Sequence, residues 1–308
     1  MRRLTGWTTA GLLGLAATGA CGGGGDSNGP GSGSGFTATI DGQAWEATEI
    51  SIAANPIPGL PGALLITGNE GGTDGRGVVI TLNNISGTGT YPLGVGSDVY
   101  GGTGQVGQSN NGWITDTKGT AGTITLTTLT ASHITGSFSF VAEPGHSNTV
   151  GGNRVVTNGH FDLPFGGALT PVPANKGSMV TATLGSDPYI AWSVNGLLQD
   201  HLGGAGFQFS SATSDHGLSI LLSGTITPGT YTLTNTGAIR VVTAGRNGGD
   251  ANHCCWGSGS ADVGTITITS ITAQRVKGTI TATLQPQPGK AAVTPLVITD
   301  AAFDVGIP

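Results

Sequence analysis

Residues 122–138 read GTITLTTLTASHITGSF, and residues 264–280 read GTITITSITAQRVKGTI. Eight of 17 positions are identical at an offset of 142 residues, so the chain carries an internal repeat. In the first segment Ile124 and Leu126 alternate with Thr123, Thr125 and Thr127, the period of a strand with one dry face. The next apolar residue, Leu129, is out of step by one, and Ile266, Ile268 and Ile271 repeat the break. It predicts a bulge or strand end at Thr127-Thr128. Beyond it, Ile134, Gly136, Phe138 and Phe140 line one face, as do Val276, Gly278, Ile280 and Ala282. Both segments thus encode the same hairpin in the same register, because a one-residue slip would turn the apolar set toward water.

Further matches surround this core. Gly89-Thr90-Tyr91 pairs with Gly229-Thr230-Tyr231, Gly77-Val78-Val79-Ile80 with Gly217-Leu218-Ser219-Ile220, and Phe161-Asp162 with Phe303-Asp304, at offsets of 140 to 142. The chain divides into a first β domain over 36–168 and a second over 178–308. Between them, 169–177 (LTPVPANKG) is a short stiff linker, since Pro171 and Pro173 interrupt any strand ladder. Each half, at about 130 residues, is long enough for a core of its own. The first opens with FTATIDGQAWEA, in which Asp41-Gly42 is a two-residue hairpin turn. That turn sets Ile40 against Gln43 and Ala38 against Trp45, placing Trp45 in the core. The second half opens with MVTATLGSDPYIAW and lacks an Asp-Gly pair. No helical period appears in the mature chain. The expected fold is all-β: two tandem antiparallel β-sandwich or flattened-barrel domains of seven to ten strands each.

Glycine supplies 57 of 308 residues, about 18.5% where roughly 7% is usual. Charged residues make up 9%, and the net charge is −6. With no basic cluster beyond the N-terminus there is no electrostatic footprint for nucleic acid. After Leu15 no apolar run approaches the roughly 20 residues of a membrane-spanning helix, so the mature body is expected to be soluble.

The N-terminus gives an address. Arg2 and Arg3, the apolar stretch Leu4 to Ala20, and Thr18-Gly19-Ala20-Cys21 form an export signal over 1–20 ending in a cysteine. The pattern resembles a bacterial lipoprotein signal, with Thr18 where leucine is usual; a plain secretory signal is the alternative. Lipidation at Cys21 would make the membrane a partner. Residues 21–35 then form a tether, and GGGGDSNGPGSGSG behaves as random coil spanning about 20 Å. Gly22 after the cysteine favours the outer membrane of the cell envelope.

Taken together, Phe36-Thr37-Ala38-Thr39-Ile40-Asp41-Gly42 with Trp45, Gly89-Thr90-Tyr91, Gly122-Thr123-Ile124-Thr125, Gly136-Ser137-Phe138 and Asn158-Gly159-His160-Phe161 carry a resemblance. The first half resembles a family of uncharacterised bacterial lipoprotein β domains, and the second half matches it in part. The resemblance implies class and location, with no biochemical activity.

Three features invite a search for chemistry. His253-Cys254-Cys255-Trp256 stands in a Gly-rich loop. An oxidising compartment favours a disulfide, yet neighbouring α-carbons are closer than ordinary bridges allow. A vicinal Cys254–Cys255 disulfide, two free thiols and a metal site using His253 all stay open, although no second Cys or His pair lies nearby to complete a zinc set. Second, Trp113 and Trp256 occupy matching places, each flanked by Gly and Asn ahead of a Gly-Thr-Ile-Thr strand. Each is a candidate either for stacking on a sugar ring or for capping the core. Third, Asn69, Glu70 and Asp74 have oxygens suited to calcium, with a plain turn as the alternative.

No catalytic set assembles. There is no G-x-S-x-G or H-E-x-x-H; Gly102-Thr103-Gly104-Gln105-Val106-Gly107 fits a dinucleotide motif by letter alone, with no helix after it. Asp200-His201 and Asp215-His216 read as turn or surface residues. The expectation is a protein without enzymatic activity or cofactor, binding a glycan or an envelope protein or serving a structural role. A glycan-binding lipoprotein serving an uptake system is the alternative.

Overall fold

Alternation of Thr, Ser and Gly with Val, Ile and Phe runs through nearly every described segment, and it produces strands there. The computed structural model describes residues 35–308 apart from 73–74, 146–147, 199–205, 234–239, 247–254, 259–262 and 288–293. The first half holds β1 (Gly35–Ile40), β2 (Gln43–Glu46), β3 (Ala53–Pro56), β4 (Leu64–Asn69), β5 (Arg76–Asn83) and β6 (Gly89–Leu93). It continues with β7 (Gly101–Gln108), β8 (Asn111–Thr115), β9 (Gly122–Leu129), β10 (His133–Pro144) and β11 (Arg154–Pro164). The second half holds β12 (Met179–Leu184), β13 (Asp187–Ile190), β14 (Ser193–Leu198), β15 (Gly206–Ala212) and β16 (His216–Ser223). Its remaining strands are β17 (Gly229–Leu233), β18 (Arg240–Arg246), β19 (Trp256–Gly257), β20 (Gly264–Ile271), β21 (Arg275–Pro286) and β22 (Leu296–Gly306). Among the described residues no helix is long and apolar enough to cross a membrane.

Among the described residues each half thus has eleven strands rather than seven to ten. The extra ones, such as β3 with four residues and β19 with two, are too short to show a period. In the first sheet the order is β2-β1-β11-β10-β9-β6-β7-β5-β4-β3, and β8 pairs with both β10 and β7. Strands β6 to β10 therefore close into a five-strand barrel, with the remaining strands curling away on either side. Ladders are antiparallel except at the closing link, a parallel bridge between Leu93 and Gly102. Two glycines of β7 sit where a side chain has no room. A Cβ on Gly102 would lie 1.7 Å from the Thr81 carbonyl, and one on Gly104 would lie 2.8 Å from the Phe140 ring.

Strand for strand, the second half repeats this pairing. Eleven pairings build the first sheet, and ten of them recur in the second among the described residues. The one without a counterpart is the parallel link that closes the barrel. The expected bulge is present in both halves: β10 pairing skips Thr127 and β21 pairing skips Thr269. One turn further, Asn158 and Asp300 both adopt φ of 51° at the second shared irregularity. Gly136 and Gly278 sit under Phe161 and Phe303, whose rings would stand 2.5 Å from an added Cβ.

The opening hairpin has the expected register, with Ile40 opposite Gln43 and Ala38 opposite Trp45. Asp41 and Gly42 both have positive φ, 52° and 79°, as the tight turn requires. In the second half the turn is Gly185-Ser186, which sets Ala182 opposite Tyr189. Tyr189 takes the place of Trp45 in the core and donates its hydroxyl to Ser211 at 2.9 Å. Burial raises its pKa.

The two halves share more than a linker. Between β6 and β7, the loop 94–100 sends Val95 and Val99 into the core of the second half, where both are fully buried. Asp98 accepts from the Val194 backbone N–H at 2.8 Å, Gly96 donates to the Trp192 carbonyl at 2.9 Å, and Val99 bridges Ser178. The segment 169–177 is held at both ends. Thr170 accepts from Gly62 N–H at 2.8 Å, and the Arg275 guanidinium donates to the carbonyls of Ala174, Lys176 and Gly177 at 2.6–2.8 Å. Gly33–Pro308 forms one compact unit.

Candidate functional site

The tryptophans come first, because the sequence placed both in loops. Trp113 lies within β8, is 1% exposed, and donates its Nε1–H to the Gly152 carbonyl at 2.9 Å. Its remaining face is covered by the Arg154 guanidinium, 4.1 Å from the ring centroid. A sugar has no ring face to stack on there, which corrects the stacking expectation for Trp113. The Gly and Asn around it form the tight connection between β7 and β8, where Ser109 has φ of 51°. Trp256 occupies the same place in β19: it pairs with Pro286 as Trp113 pairs with Pro144, and its Nε1–H donates to the Thr294 carbonyl at 2.7 Å. It is half-buried against the second core.

Cys255 is disulfide-bonded. Cys254 and His253 lie outside the described residues, as do Cys21, Asp74, Asp200 and His201. Of the proposed calcium set, Asn69 caps a turn through Gly71 N–H, while Glu70 is taken up by Arg76. His216 is 3.8 Å from Asp187, and Thr213 receives the backbone N–H groups of Asp215 and His216 in a turn. Among the described residues no group of three His, Cys, Asp or Glu is arranged to hold a metal.

The site that the structure does assemble is a polar mouth of about 410 Å³ at one end of the first half, lined by Ile40, Asp41, Gln43, Glu70, Arg76, Gln108 and Arg154. Four connections converge to build it. Asp41 comes from the β1–β2 turn and Gln43 from the start of β2; Glu70 and Arg76 flank the β4–β5 turn. Gln108 ends β7 directly opposite Arg76 in register. Arg154 opens β11, opposite Ala142.

Two ion pairs organise the mouth. Arg154 reaches Asp41 at 2.9 Å and the Gln108 side-chain Oε1 at 3.5 Å, while Asp41 also accepts from Val155 N–H at 2.9 Å. Arg76 grips Glu70 at 3.0–3.2 Å and donates to the Ala44 carbonyl at 3.0 Å. Its own carbonyl accepts from the Trp45 indole at 2.9 Å, so the charged mouth is bolted to the core beneath it. Desolvation pushes the Glu70 carboxyl up, but the hydrogen bonds and charge of Arg76 outweigh it and hold the pKa below 4.5. Two positive and two negative charges leave the mouth with no formal charge. Among the described residues the Gln43 amide and the Gln108 NH₂ have no partner.

Residues 33–162 match the model of a family described as a domain of unknown function, DUF6252. All the polar residues of the mouth fall inside that stretch. No curated protein and no solved structure matches the chain. Beyond the matched stretch, the described residues of the second half do not rebuild the mouth. The register position of Arg154 is held by Leu296, that of Arg76 by His216, and the turn position of Asp41 by Gly185. Sequence reasoning overlooked the mouth because its polar residues are scattered from 41 to 154 without a motif. The one signal in the sequence was comparative: Arg154 and Arg76 are charged where the aligned second half carries Leu296 and His216.

Proposed function

We propose that this chain is a non-catalytic binding protein of the cell envelope, lipid-anchored to the outer membrane through Cys21, with the polar mouth of its first domain as the ligand site. The mouth carries the reading. Its carboxylates are committed to guanidiniums and its backbone donors to carboxylates, an arrangement suited to fixed recognition rather than to moving a proton. What stays available are amide and guanidinium N–H groups around a concave surface, the usual few convergent polar groups of a small-molecule site. The second half is a further copy of the same domain, a reading supported by the ten shared pairings and shared bulges, and it serves as a companion without the mouth. The partner is a glycan or an envelope component presented near the membrane.

Two measurements test this. Intact-mass analysis of protein extracted from its native membrane is expected to find residues 1–20 removed and an acylated Cys21; an unmodified amino terminus refutes the anchor. Thermal shifts of Gly33–Pro308 with a panel of envelope glycan fragments are expected for the native sequence and not for Arg154→Leu, which copies Leu296. A shift that persists unchanged in Arg154→Leu moves the site elsewhere.

A further inference from the structure

We infer that the mouth selects a neutral, hydroxyl-rich saccharide end and holds it edge-on through the Arg154, Gln108 and Gln43 side chains, with no aromatic stacking. The inference rests on the binding reading above and names its ligand class. Charge decides against an anionic ligand. A phosphate or uronate entering the mouth must compete with Asp41 for Arg154 and with Glu70 for Arg76, and it meets as many carboxylates as guanidiniums. A neutral ligand leaves both pairs intact.

Chemistry then favours hydroxyls. The Gln108 oxygen is engaged by Arg154, so its NH₂ is the group left to donate; the Gln43 amide offers both a donor and an acceptor. Carboxylates paired with Arg keep lone pairs for further donors. A sugar hydroxyl, which donates and accepts at once, satisfies both kinds of group. An apolar ligand satisfies neither. Stacking is excluded by geometry, because Trp113 lies buried under Arg154. Trp113 is instead a positioning residue: it holds the guanidinium over its ring, while Asp41 and Gln108 accept from the guanidinium N–H groups.

The test uses Gly33–Pro308, the compact unit, with three neutral probes (trisaccharides of glucose, mannose and galactose) and trigalacturonate as the acidic one. Nitrogen-15 NMR follows the side-chain amides of Gln43 and Gln108 and the Trp113 indole. The expected result is that at least one neutral trisaccharide shifts these signals. Gln108→Ala and Arg154→Leu should each weaken its binding by about tenfold, with the remaining backbone spectrum unchanged as the check on folding. Tighter binding of trigalacturonate, lost in Arg154→Leu, overturns the ligand class while leaving the mouth a binding site. No response at the mouth to any probe overturns the ligand class as well. Neutral binding that survives both substitutions overturns the placement.

Discussion

Among the described residues the two halves share ten strand pairings, and their most telling differences are the barrel seam and the polar mouth. In the first half a parallel bridge between Leu93 and Gly102 closes the ring, and the adjoining end carries Arg76, Arg154, Asp41 and Glu70. The second half has no such bridge among its described residues, and Leu296 replaces Arg154. The lesson is that the ten shared pairings depend on neither. What both halves keep are the packing devices, namely the bulges, the glycine under an aromatic ring, and a tryptophan tied to a backbone carbonyl.

The largest expected difference comes from that tryptophan. Trp113→Ala empties a fully buried site under a cation and should cost about 3–5 kcal/mol in urea unfolding. Trp256→Ala, at a half-buried site, should cost roughly 1–3 kcal/mol. Equal losses would erase the distinction drawn between the two positions.

Gly136→Ala and Gly278→Ala sharpen the likeness instead. Each added methyl meets a strand carbonyl at 2.2 Å and a phenylalanine ring at 2.5 Å, so each should destabilise by about 1–3 kcal/mol. A gap well outside that spread would mean the two cores are packed differently.

Closure is probed at the seam. A methyl on Gly102 must push against the Thr81 carbonyl, and the Gly102 carbonyl accepts from Gly94 and Val95 N–H at 2.8 and 3.1 Å. Gly102→Ala should therefore speed amide exchange at Gly94 and Val95 by about tenfold or more. Unchanged protection there would show that the seam does not depend on this contact.

The smallest effect belongs to Glu70. Its pKa is lower in the folded protein than in an unfolded chain, so the stability it contributes is fully present above the unfolded value and fades as pH falls through the folded one. Glu70→Gln should cost under about 1 kcal/mol at pH 7. The difference should fade as acidification carries the pH below the ordinary carboxylate value and through the lower folded one; a gap that grows in acid would reverse the assigned sign.

Much of the framework was legible in the sequence because period-2 alternation and its interruptions are local. The break at Thr127 and the turn at Asp41-Gly42 could be read within a dozen residues. The counterpart turn, Gly185-Ser186, was obscured because it is a different tight turn, in which Gly185 alone has positive φ where Asp41 and Gly42 both do. Barrel closure could not be read, since it depends on one bridge between Leu93 and Gly102 and on glycines whose spacing resembles a phosphate-binding loop. The mouth was illegible for a related reason: polar residues at strand ends carry no period, and only the folded register sets Arg76 beside Gln108. Which of the two readings of Trp113 holds was not legible, because flanking Gly and Asn residues mark a turn without revealing which way the ring folds.

The loop that carries Val95, Asp98 and Val99 has a consequence for how this chain is made and divided. A gene fragment beginning near residue 178 would encode a sheet whose interior lacks two valines and whose β14 lacks the acceptor for Val194. During synthesis from the amino terminus, that peg is in place before the later sheet emerges. The second module is thus completed by the first, and a protease cutting between them would not release two whole domains.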